Sequence, residues 1–500
     1  MWVRQCEIDA QVEAPLPIPS RIASNEEFIP PPQSPEQKEY EARLAEISER
    51  AARRQGLNRR AFLRSGSGMA AALFALNQVF GDCYAVDAAE IDDQKAFEEK
   101  WPKEQFIFDI QTHHVDVAKK WYQHAPDGQA VQSFFRLLRP QASSLDESLD
   151  LLNRVHYVKE LFGDSDTVMA VISGVPSREW DKNPLPPDQM VATRKFVNDI
   201  AQSQRVLSHG ILRPNLGAKE MEEMERQVKE LKIDAWKMYT GADLGEQSWY
   251  MDDEKVTYPF WKKTKELGIK NLCVHKGLPL GFFHEKACKP LDLEKAALDW
   301  PDLNFIVYHS GFRGFGGWAA SGKGEKVVDK KTDDPQEIPW ISDIFRILRK
   351  NTQIKNIYFE LGSTFGQTSA YNPKVCMHML GQMIQTAGVD HILWGTDSIW
   401  GGSPQSQIER MRRIKMDKEL MDKFGYPELT ADVKNQIFGL NAAKLFGIDP
   451  NAKRQAIKAD KLTLLRQQYR QDSVPSNTQF GWVWEGKGKD PTIPIGPART

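Results

Sequence analysis

The chain has 500 residues, of which 41% are hydrophobic, enough for a large core, and its formal net charge is −2. The length allows about three domains or one large barrel with extensions, and a near-neutral charge gives no reason to expect nucleic acid or an anionic membrane as partner. No apolar run approaches the roughly 20 residues that a membrane span requires. The five cysteines form no Cys-x-x-Cys pair, which argues against a zinc finger, a redox motif or a disulfide framework.

Residues 1–57 form a leader that is rich in Pro, Glu, Arg and Gln and lacks a sustained apolar face. Such a composition buries too little apolar surface to offset the entropy of folding. We therefore expect the leader to be mostly disordered, apart from a short helix over 36–54.

A basic motif, Arg-Arg-Ala-Phe-Leu-Arg over 59–64, then precedes a weakly apolar stretch over 69–76 and a small residue at Ala88. This order is typical of a signal peptide, and the motif resembles a twin-arginine export signal. It predicts a signal segment over 58–88, recognition by the twin-arginine export machinery and a periplasmic protein. An amphipathic surface helix, in a cytoplasmic protein, is the alternative.

From residue 104 onward, strand-like runs alternate with amphipathic helical segments of about 3.6-residue period. The strand-like runs are 106–113, 167–175, 206–213, 233–239, 271–276, 304–309, 356–362 and 391–397. Eight strands separated by helices predict an α/β fold, a (β/α)8 TIM barrel over 104–448, with a helical and irregular C-terminal extension over 449–500. A doubly wound open sheet is the alternative, but no Gly-x-Gly-x-x-Gly turn follows the first strand.

Several of these strands end in side chains that bind cations. The first carries Gln111 and His113, which are two residues apart and therefore point to the same side of a strand. The fifth ends at His275, the sixth at His309 and the eighth at Asp397. The carboxyl ends of all barrel strands meet at one face, so we expect these side chains to form a metal site there.

The same positions carry a family resemblance. His113, His275, His309 and Thr396-Asp397 resemble the amidohydrolase superfamily, and Gly-Leu-Asn-Ala-Ala-Lys-Leu-Phe-Gly over 439–447 resembles the end of its amidohydrolase-related branch. That branch includes the aminocarboxymuconate-semialdehyde and resorcylate-type decarboxylases. The resemblance implies one divalent metal ion, zinc or alternatively manganese, with a bound water and a small-molecule substrate.

The resemblance also implies roles for these residues. Gln111, His113, His275 and Asp397 would be metal ligands, Asp397 would also be the general base, and His309 would polarise a carbonyl or stabilise an oxyanion. The family motif is His-x-His, with Gln111 here at its first position. A neutral amide oxygen is a weaker zinc ligand than imidazole, so a site without Gln111, or without metal, stays open.

Further residues are expected to shape the substrate pocket. Lys237 on the fourth strand would bind a substrate carboxylate or carbonyl, or else form a buried ion pair with Glu360. The other candidates for substrate binding lie after strands three, five, six and eight, and are Arg213, His284, Arg313 and Trp400.

Together these features predict a metal-dependent hydrolase that cleaves an ester, lactone or amide bond of a small molecule. A non-oxidative decarboxylase of an aromatic or enol acid is the alternative, and a metal-free binding barrel is a third possibility. The sequence leaves a homo-oligomer open.

Overall fold

The structure of the protein is a computed structural model. The described residues are 2–5, 8, 15–23, 32–100, 103–118, 143–175, 183–241, 248–279, 283–315, 333–473, 475 and 482–484.

Eight parallel strands form the centre of the molecule, with neighbours in chain order hydrogen-bonded to one another. They are β1 (Phe108–Thr112), β2 (Met169–Ile172), β3 (Val206–Ile211), β4 (Ala235–Tyr239), β5 (Asn271–His275), β6 (Asn304–Tyr308), β7 (Ile357–Glu360) and β8 (Ile392–Leu393). A separate two-stranded antiparallel pair joins Trp2–Arg4 to Trp482–Trp484.

Backbone hydrogen bonds between β1 and the chain beyond β8 close the barrel. Ile110 N donates to Trp394 O at 3.1 Å, and Asp397 N donates to Gln111 O at 3.0 Å. The predicted (β/α)8 TIM barrel is therefore confirmed. The eighth strand, Ile392–Leu393, is shorter than predicted, and Asp397 has a positive φ of 63°.

Helices surround the barrel on the outside. Between the strands lie Leu145–Asp150, Arg154–Val158, Pro187–Ala201, Lys219–Lys229, Tyr258–Glu266, Glu285–Cys288, Leu293–Asp299, Ile341–Lys350, Thr364–Tyr371 and Pro373–Ala387. After β8 come Gln405–Arg413, Lys418–Phe424, Ala431–Asn435, Asn441–Leu445, Pro450–Ile457 and Lys461–Asp472. The last two belong to the predicted C-terminal extension, and Asp460 between them accepts two hydrogen bonds from buried Arg205, at 2.7 and 2.8 Å.

The leader contains the helix that was expected over 36–54. Pro35–Arg54 is a helix of 20 residues, capped by Ser34, whose side chain accepts from Gln37 N. The buried face of this helix is a narrow stripe that includes Tyr40 and Leu44, both 0% exposed. A capping box followed by one apolar stripe is enough to start and dock a helix, even where the overall composition is polar.

The predicted signal segment is folded onto the barrel. Within it the helices are Arg59–Leu63 and Gly66–Phe80, followed by Ala88–Asp92 and then Gln94–Lys100. Gly66–Phe80 is buried along most of its length, and Ala85 N donates to Arg413 O at 2.8 Å. Twin-arginine export and a periplasmic location stay predictions. None of the described helices combines the length and the apolar character needed to cross a membrane.

Candidate metal and catalytic site

The structure brings the five predicted site residues together at the carboxyl end of the barrel. His113 Nε2 lies 3.1 Å from Asp397 Oδ1, and Gln111 Nε2 donates to the same oxygen at 2.9 Å. Gln111 Nε2 is 3.4 Å from His309 Nε2, which is 3.0 Å from His275 Nδ1. We call these five side chains the donor arc. All are at most 3% exposed.

Two backbone carbonyls fix the protonation of the histidine pair. His275 Nε2 lies 3.1 Å from Leu278 O, and His309 Nδ1 lies 2.9 Å from Gly362 O. A carbonyl oxygen only accepts hydrogen bonds, so each of these ring nitrogens carries the proton. Burial lowers the pKa of His275 well below its ordinary value and that of His309 to about 4, so both rings are neutral at pH 7.

The two nitrogens that face each other therefore both carry a lone pair. His275 Nδ1 and His309 Nε2 are 3.0 Å apart, and two acceptors at this distance repel unless a cation lies against them. Donor atoms sharing an ion at 2.0–2.2 Å lie roughly 3 to 3.5 Å apart. This is the spacing of His275 Nδ1 from His309 Nε2, at 3.0 Å, and of His113 Nε2 from Asp397 Oδ1, at 3.1 Å. The chemistry and spacing of the donor set fit a divalent ion.

Hydrogen bonds and close polar contacts join the members of the donor arc to one another. Accordingly, in the described part of the chain no three His, Cys, Asp or Glu side chains have a ready metal-binding arrangement. The donors fit as a set, but Gln111 turns its amide nitrogen, not its oxygen, toward Asp397. Cation binding therefore requires these direct hydrogen bonds to be exchanged.

Asp397 is held at both carboxylate oxygens. Oδ1 faces His113 and Gln111, and Oδ2 accepts a hydrogen bond from Ser363 Oγ at 2.8 Å. Sequence reasoning missed Ser363, which follows β7 in Glu-Leu-Gly-Ser. A hydroxyl just after a strand end was the only signal that could have found it.

The turn after β7 also positions His309. Glu360 Oε2 accepts from His309 N at 3.0 Å, and Glu360 Oε1 accepts from Gly362 N at 2.6 Å. Burial raises the pKa of Glu360 to about 8, although the charge of Lys237 partly opposes this. The turn thus fixes the backbone of His309 through Glu360 and its ring through Gly362.

Asp109, the polar residue within the first strand, supports the opposite side of the site. Its Oδ1 accepts from Gln111 N and Thr396 N, each at 3.1 Å, and its Oδ2 accepts from the Thr396 hydroxyl. Burial raises the pKa of Asp109 to about 7. Asp109 thereby ties β1 to the residue before Asp397.

Two of the predicted substrate-binding residues are close to the site: Trp400 lies beside the donor arc, and Lys237 lies inside the barrel. Trp400 stacks on His113, with ring centroids 5.2 Å apart and planes inclined by 24°. Lys237 is buried, with Nζ 3.7 Å from the centre of the Tyr308 ring and 4.9 Å from that of Tyr239. Its charge lowers the pKa of His275 and His309, though less than burial does.

The other three are held by neighbours. Arg213 donates twice to Glu220, at 2.9 Å each. Arg313 donates from Nε to Glu285 at 2.9 Å and lies over the Trp340 ring. His284 begins the helix Glu285–Cys288, and its backbone N–H donates to Gly241 O at 3.0 Å.

Two aromatic or imidazole residues near the site were also missed. Tyr239 stacks on His275, with centroids 5.1 Å apart and planes inclined by 25°, and its hydroxyl donates to Gly174 O at 2.9 Å. His209 on β3 lies 3.1 Å from Ser173 Oγ and 3.4 Å from the Tyr308 hydroxyl. His209 lies inside β3 and Tyr239 ends β4, and the sequence offers no sign of what either side chain faces.

His114 gives a pH-dependent test of the fold. Its ring faces Val115 O at 2.9 Å and Thr193 Oγ1 at 2.7 Å, and burial lowers its pKa to about 3. In the unfolded chain the group protonates near pH 6.5, so its contribution to stability is present above that pH and lost as pH falls toward 3. Between pH 7.5 and pH 5 this loss is about 2 kcal/mol.

We expect the destabilisation caused by His114→Gln to be about 2 kcal/mol smaller at pH 5 than at pH 7.5, because the variant lacks this group. Urea unfolding of both proteins at the two pH values measures it. If His114→Gln lowered the free energy of unfolding equally at both pH values, His114 would protonate in the folded state as it does in the unfolded chain.

Comparison with known proteins places the barrel in a family. A family model described as amidohydrolase matches residues 109–448. Similar solved structures include an uncharacterized TIM-barrel protein from Bordetella bronchiseptica (16% identity, TM-score 0.43, covering 68% of this chain and 98% of that chain). Another is 5-carboxyvanillate decarboxylase from Sphingomonas paucimobilis (15% identity, TM-score 0.41, covering 69% of this chain and 100% of that chain). A third is 4-oxalomesaconate hydratase from Rhodopseudomonas palustris (14% identity, TM-score 0.38, covering 73% of this chain and 100% of that chain).

No curated protein matches the chain. The solved structures are distant in sequence and in superposition, and their activities do not carry over on that likeness. The match to the amidohydrolase family model does show the family, since it spans more than half of the chain and every strand of the barrel. The protein therefore belongs to the amidohydrolase family, in the amidohydrolase-related branch that its strand-end residues resemble.

Proposed function

We propose that the protein is a metal-dependent hydrolase that cleaves an ester, lactone or amide bond of a small organic molecule. The observation that carries this proposal is the convergence of buried imidazoles and a carboxylate at one end of the barrel. His275 Nδ1 and His309 Nε2 lie 3.0 Å apart, and His113 Nε2 lies 3.1 Å from Asp397 Oδ1. His113, His275 and Asp397 would hold the ion, with Gln111 or water completing the shell. When bound, a divalent ion lowers the pKa of water and polarises a carbonyl.

Asp397 acts as the general base. Its Oδ1 faces the donor arc, where it takes the proton of the attacking water and later returns it to the leaving oxygen or nitrogen. Ser363 holds Oδ2 at 2.8 Å, which keeps the carboxylate in one rotamer through both transfers. Proton transfer of this kind contributes about 10²- to 10⁴-fold to a rate.

The catalytic role that we assign to His309 differs from the one that the resemblance implies. Because Nδ1 donates to Gly362 O, Nε2 of the neutral ring is an acceptor and has no proton to give an oxyanion. His309 therefore orients water by accepting its hydrogen bond. A bound ion would supply positive charge for the developing oxyanion. The charge of buried Lys237, which already acts on His275 and His309, would add to it.

A decarboxylase is the second candidate, and the aromatic rings favour it. Trp400 and Tyr239 stack on His113 and His275 at 5.2 and 5.1 Å, so the donor arc carries aromatic rings on two of its histidines. An aromatic acid would stack against these rings, and the charge of Lys237 would attract its carboxylate.

The test begins with purified protein stripped of metal by a chelator and reloaded with zinc or manganese. A panel of aryl esters, lactones, anilides and hydroxybenzoic acids is then assayed for hydrolysis products and for released CO₂. We expect hydrolysis that disappears on stripping and returns with metal. Metal-dependent CO₂ release would select the decarboxylase instead, and a protein that binds no metal and turns over nothing would be a binding barrel.

A further inference from the structure

The helix Thr364–Tyr371, which we call the support helix, begins at the candidate site. Ser363, the residue before it, donates its hydroxyl to Asp397 Oδ2 at 2.8 Å. Thr364, its first residue, donates its hydroxyl to His309 O at 2.7 Å. The start of the support helix therefore contacts both the predicted base and the His309 backbone.

Ser363 depends on its surroundings for its position. Its φ is 54°, a conformation that residues other than glycine adopt rarely and keep only where the structure around them holds it. The support helix has eight residues and is therefore only about 12 Å long. Such a short helix moves as a unit, so a displacement of its far end also displaces Ser363.

The far end of the support helix takes a hydrogen-bond donor from a distant part of the chain. The last carbonyls of a helix have no partner within it. A longer helix would not provide one for Ser369 O, because the residue four positions on is Pro373, which has no N–H. Tyr84, in the predicted signal segment, supplies the donor: it is 0% exposed, and its hydroxyl donates to Ser369 O.

Tyr84 is itself held on both sides. The Asn77 side chain accepts from Tyr84 N at 2.8 Å and donates to Tyr84 O at 2.7 Å. The next residue, Ala85, donates from its backbone to Arg413 O at 2.8 Å. The Tyr84 hydroxyl is thus presented to the support helix from a fixed backbone.

Arg410 provides a second contact with the support helix, from the barrel side. Its Nη1 donates to Gly366 O at 2.7 Å and to Ser369 Oγ at 2.6 Å. Arg410 therefore reaches the middle of the helix and one side chain, whereas Tyr84 bonds a carbonyl near its end. The two supports can be separated by substitution.

We propose that Tyr84 is a positioning residue for the site, holding the support helix so that the Ser363 hydroxyl stays on Asp397. Tyr84 acts through Ser363 and lies outside the reacting groups. Its expected effect on rate rests on the proposed function, in which Asp397 is the base. The proposal also requires that the segment resembling an export signal remains on the working enzyme, at least through Tyr84.

The first test compares Tyr84→Phe with Tyr40→Phe by hydrogen exchange and mass spectrometry. Tyr40 is the matched control, because it is also 0% exposed and its hydroxyl also donates to a backbone carbonyl, Ile18 O at 2.9 Å. We expect each variant to lower Tm by a similar amount, about 1–3 °C. Only Tyr84→Phe should speed exchange of the support helix, by about 3- to 10-fold, the share of one buried hydrogen bond.

The second test measures turnover on a substrate found by the panel, with and without Ser363→Ala. We expect Tyr84→Phe to lower kcat about 3- to 10-fold, and Tyr40→Phe to change it less than about twofold. On the Ser363→Ala background, Tyr84→Phe should add less than about twofold, because the contact through which it acts is already gone. Tyr84→Met removes the same hydroxyl and replaces Tyr84→Phe if that variant does not fold.

Unchanged exchange of the support helix in Tyr84→Phe would overturn the proposal, by showing that Arg410 is sufficient. An equal loss of kcat on both Ser363 backgrounds would also overturn it, since Tyr84 would then affect stability or another part of the site. So would N-terminal sequencing of a fully active protein that starts beyond Tyr84. If wild type turned over no compound of the panel, the proposed function would fail, and the exchange comparison alone would decide whether Tyr84 holds the helix.

Discussion

Replacing Asp397 with Asn is expected to lower kcat/KM by about 10²- to 10⁴-fold, the usual loss on removing a general base. Asn has nearly the same shape and can still accept from Ser363, which now donates to Oδ2 at 2.8 Å. It cannot take a proton from water, and it offers a weaker oxygen to a cation. Steady-state kinetics of wild type and Asp397→Asn on the substrate found by the panel measure the loss.

The control separates proton transfer from metal binding. Both enzymes are assayed over a metal titration that extends to saturation of the variant. If Asp397→Asn regained wild-type turnover at saturating metal, Asp397 would be a ligand without a role as base. Ser363→Ala, which frees one carboxylate oxygen but keeps the base, is expected to cause a smaller loss.

Replacing Glu90 with Ala is expected to lower the free energy of unfolding by about 3–5 kcal/mol, the range for breaking a buried ion pair from one side. Arg413 is 0% exposed and is ion-paired with Glu90, which is 2% exposed. Two carbonyls, Ala85 O at 3.2 Å and Phe97 O at 3.0 Å, also accept from Arg413. They do not neutralise its charge, so removing Glu90 leaves a buried cation.

Urea unfolding followed by circular dichroism measures the change. Asp87→Ala is the matched control, because Asp87 is an exposed carboxylate that binds Lys100, the same lysine that contacts Glu90. We expect a smaller loss there, since the exposed pair contributes little and only the cap of the helix Ala88–Asp92 is removed. Equal stability of Glu90→Ala and Asp87→Ala would show that residues 88–100 are not docked on the barrel.

The strand ends were predictable because chemistry and topology coincide there. Gln111, His113, His275, His309 and Asp397 each follow an apolar run, and a barrel brings all such ends to one face. The chemical state of His309 was not predictable. It depends on Gly362 O, 53 positions away in the chain, and that contact makes Nε2 an acceptor.

Charged residues on loops were harder to place than those at strand ends. Arg213 and Arg313 face Glu220 and Glu285, and either arginine could equally have faced a substrate from sequence alone. The helix Pro35–Arg54 could be placed from sequence, but its partner could not, because docking depends on a single narrow stripe and composition averages over the whole surface. Local signals are strong where a strand ends, and weak where the partner comes from another part of the chain.

Four residues at the site have positive φ, a conformation that glycine adopts most easily, Asn less easily and most other residues rarely. They are His309 at 60°, Ser310 at 53°, Ser363 at 54° and Asp397 at 63°. Each such position costs on the order of 1 kcal/mol of stability. A library of variants selected only for resistance to heat should therefore accumulate Gly or Asn at these positions and lose turnover as it does so, so that the most heat-resistant clones are the least active ones.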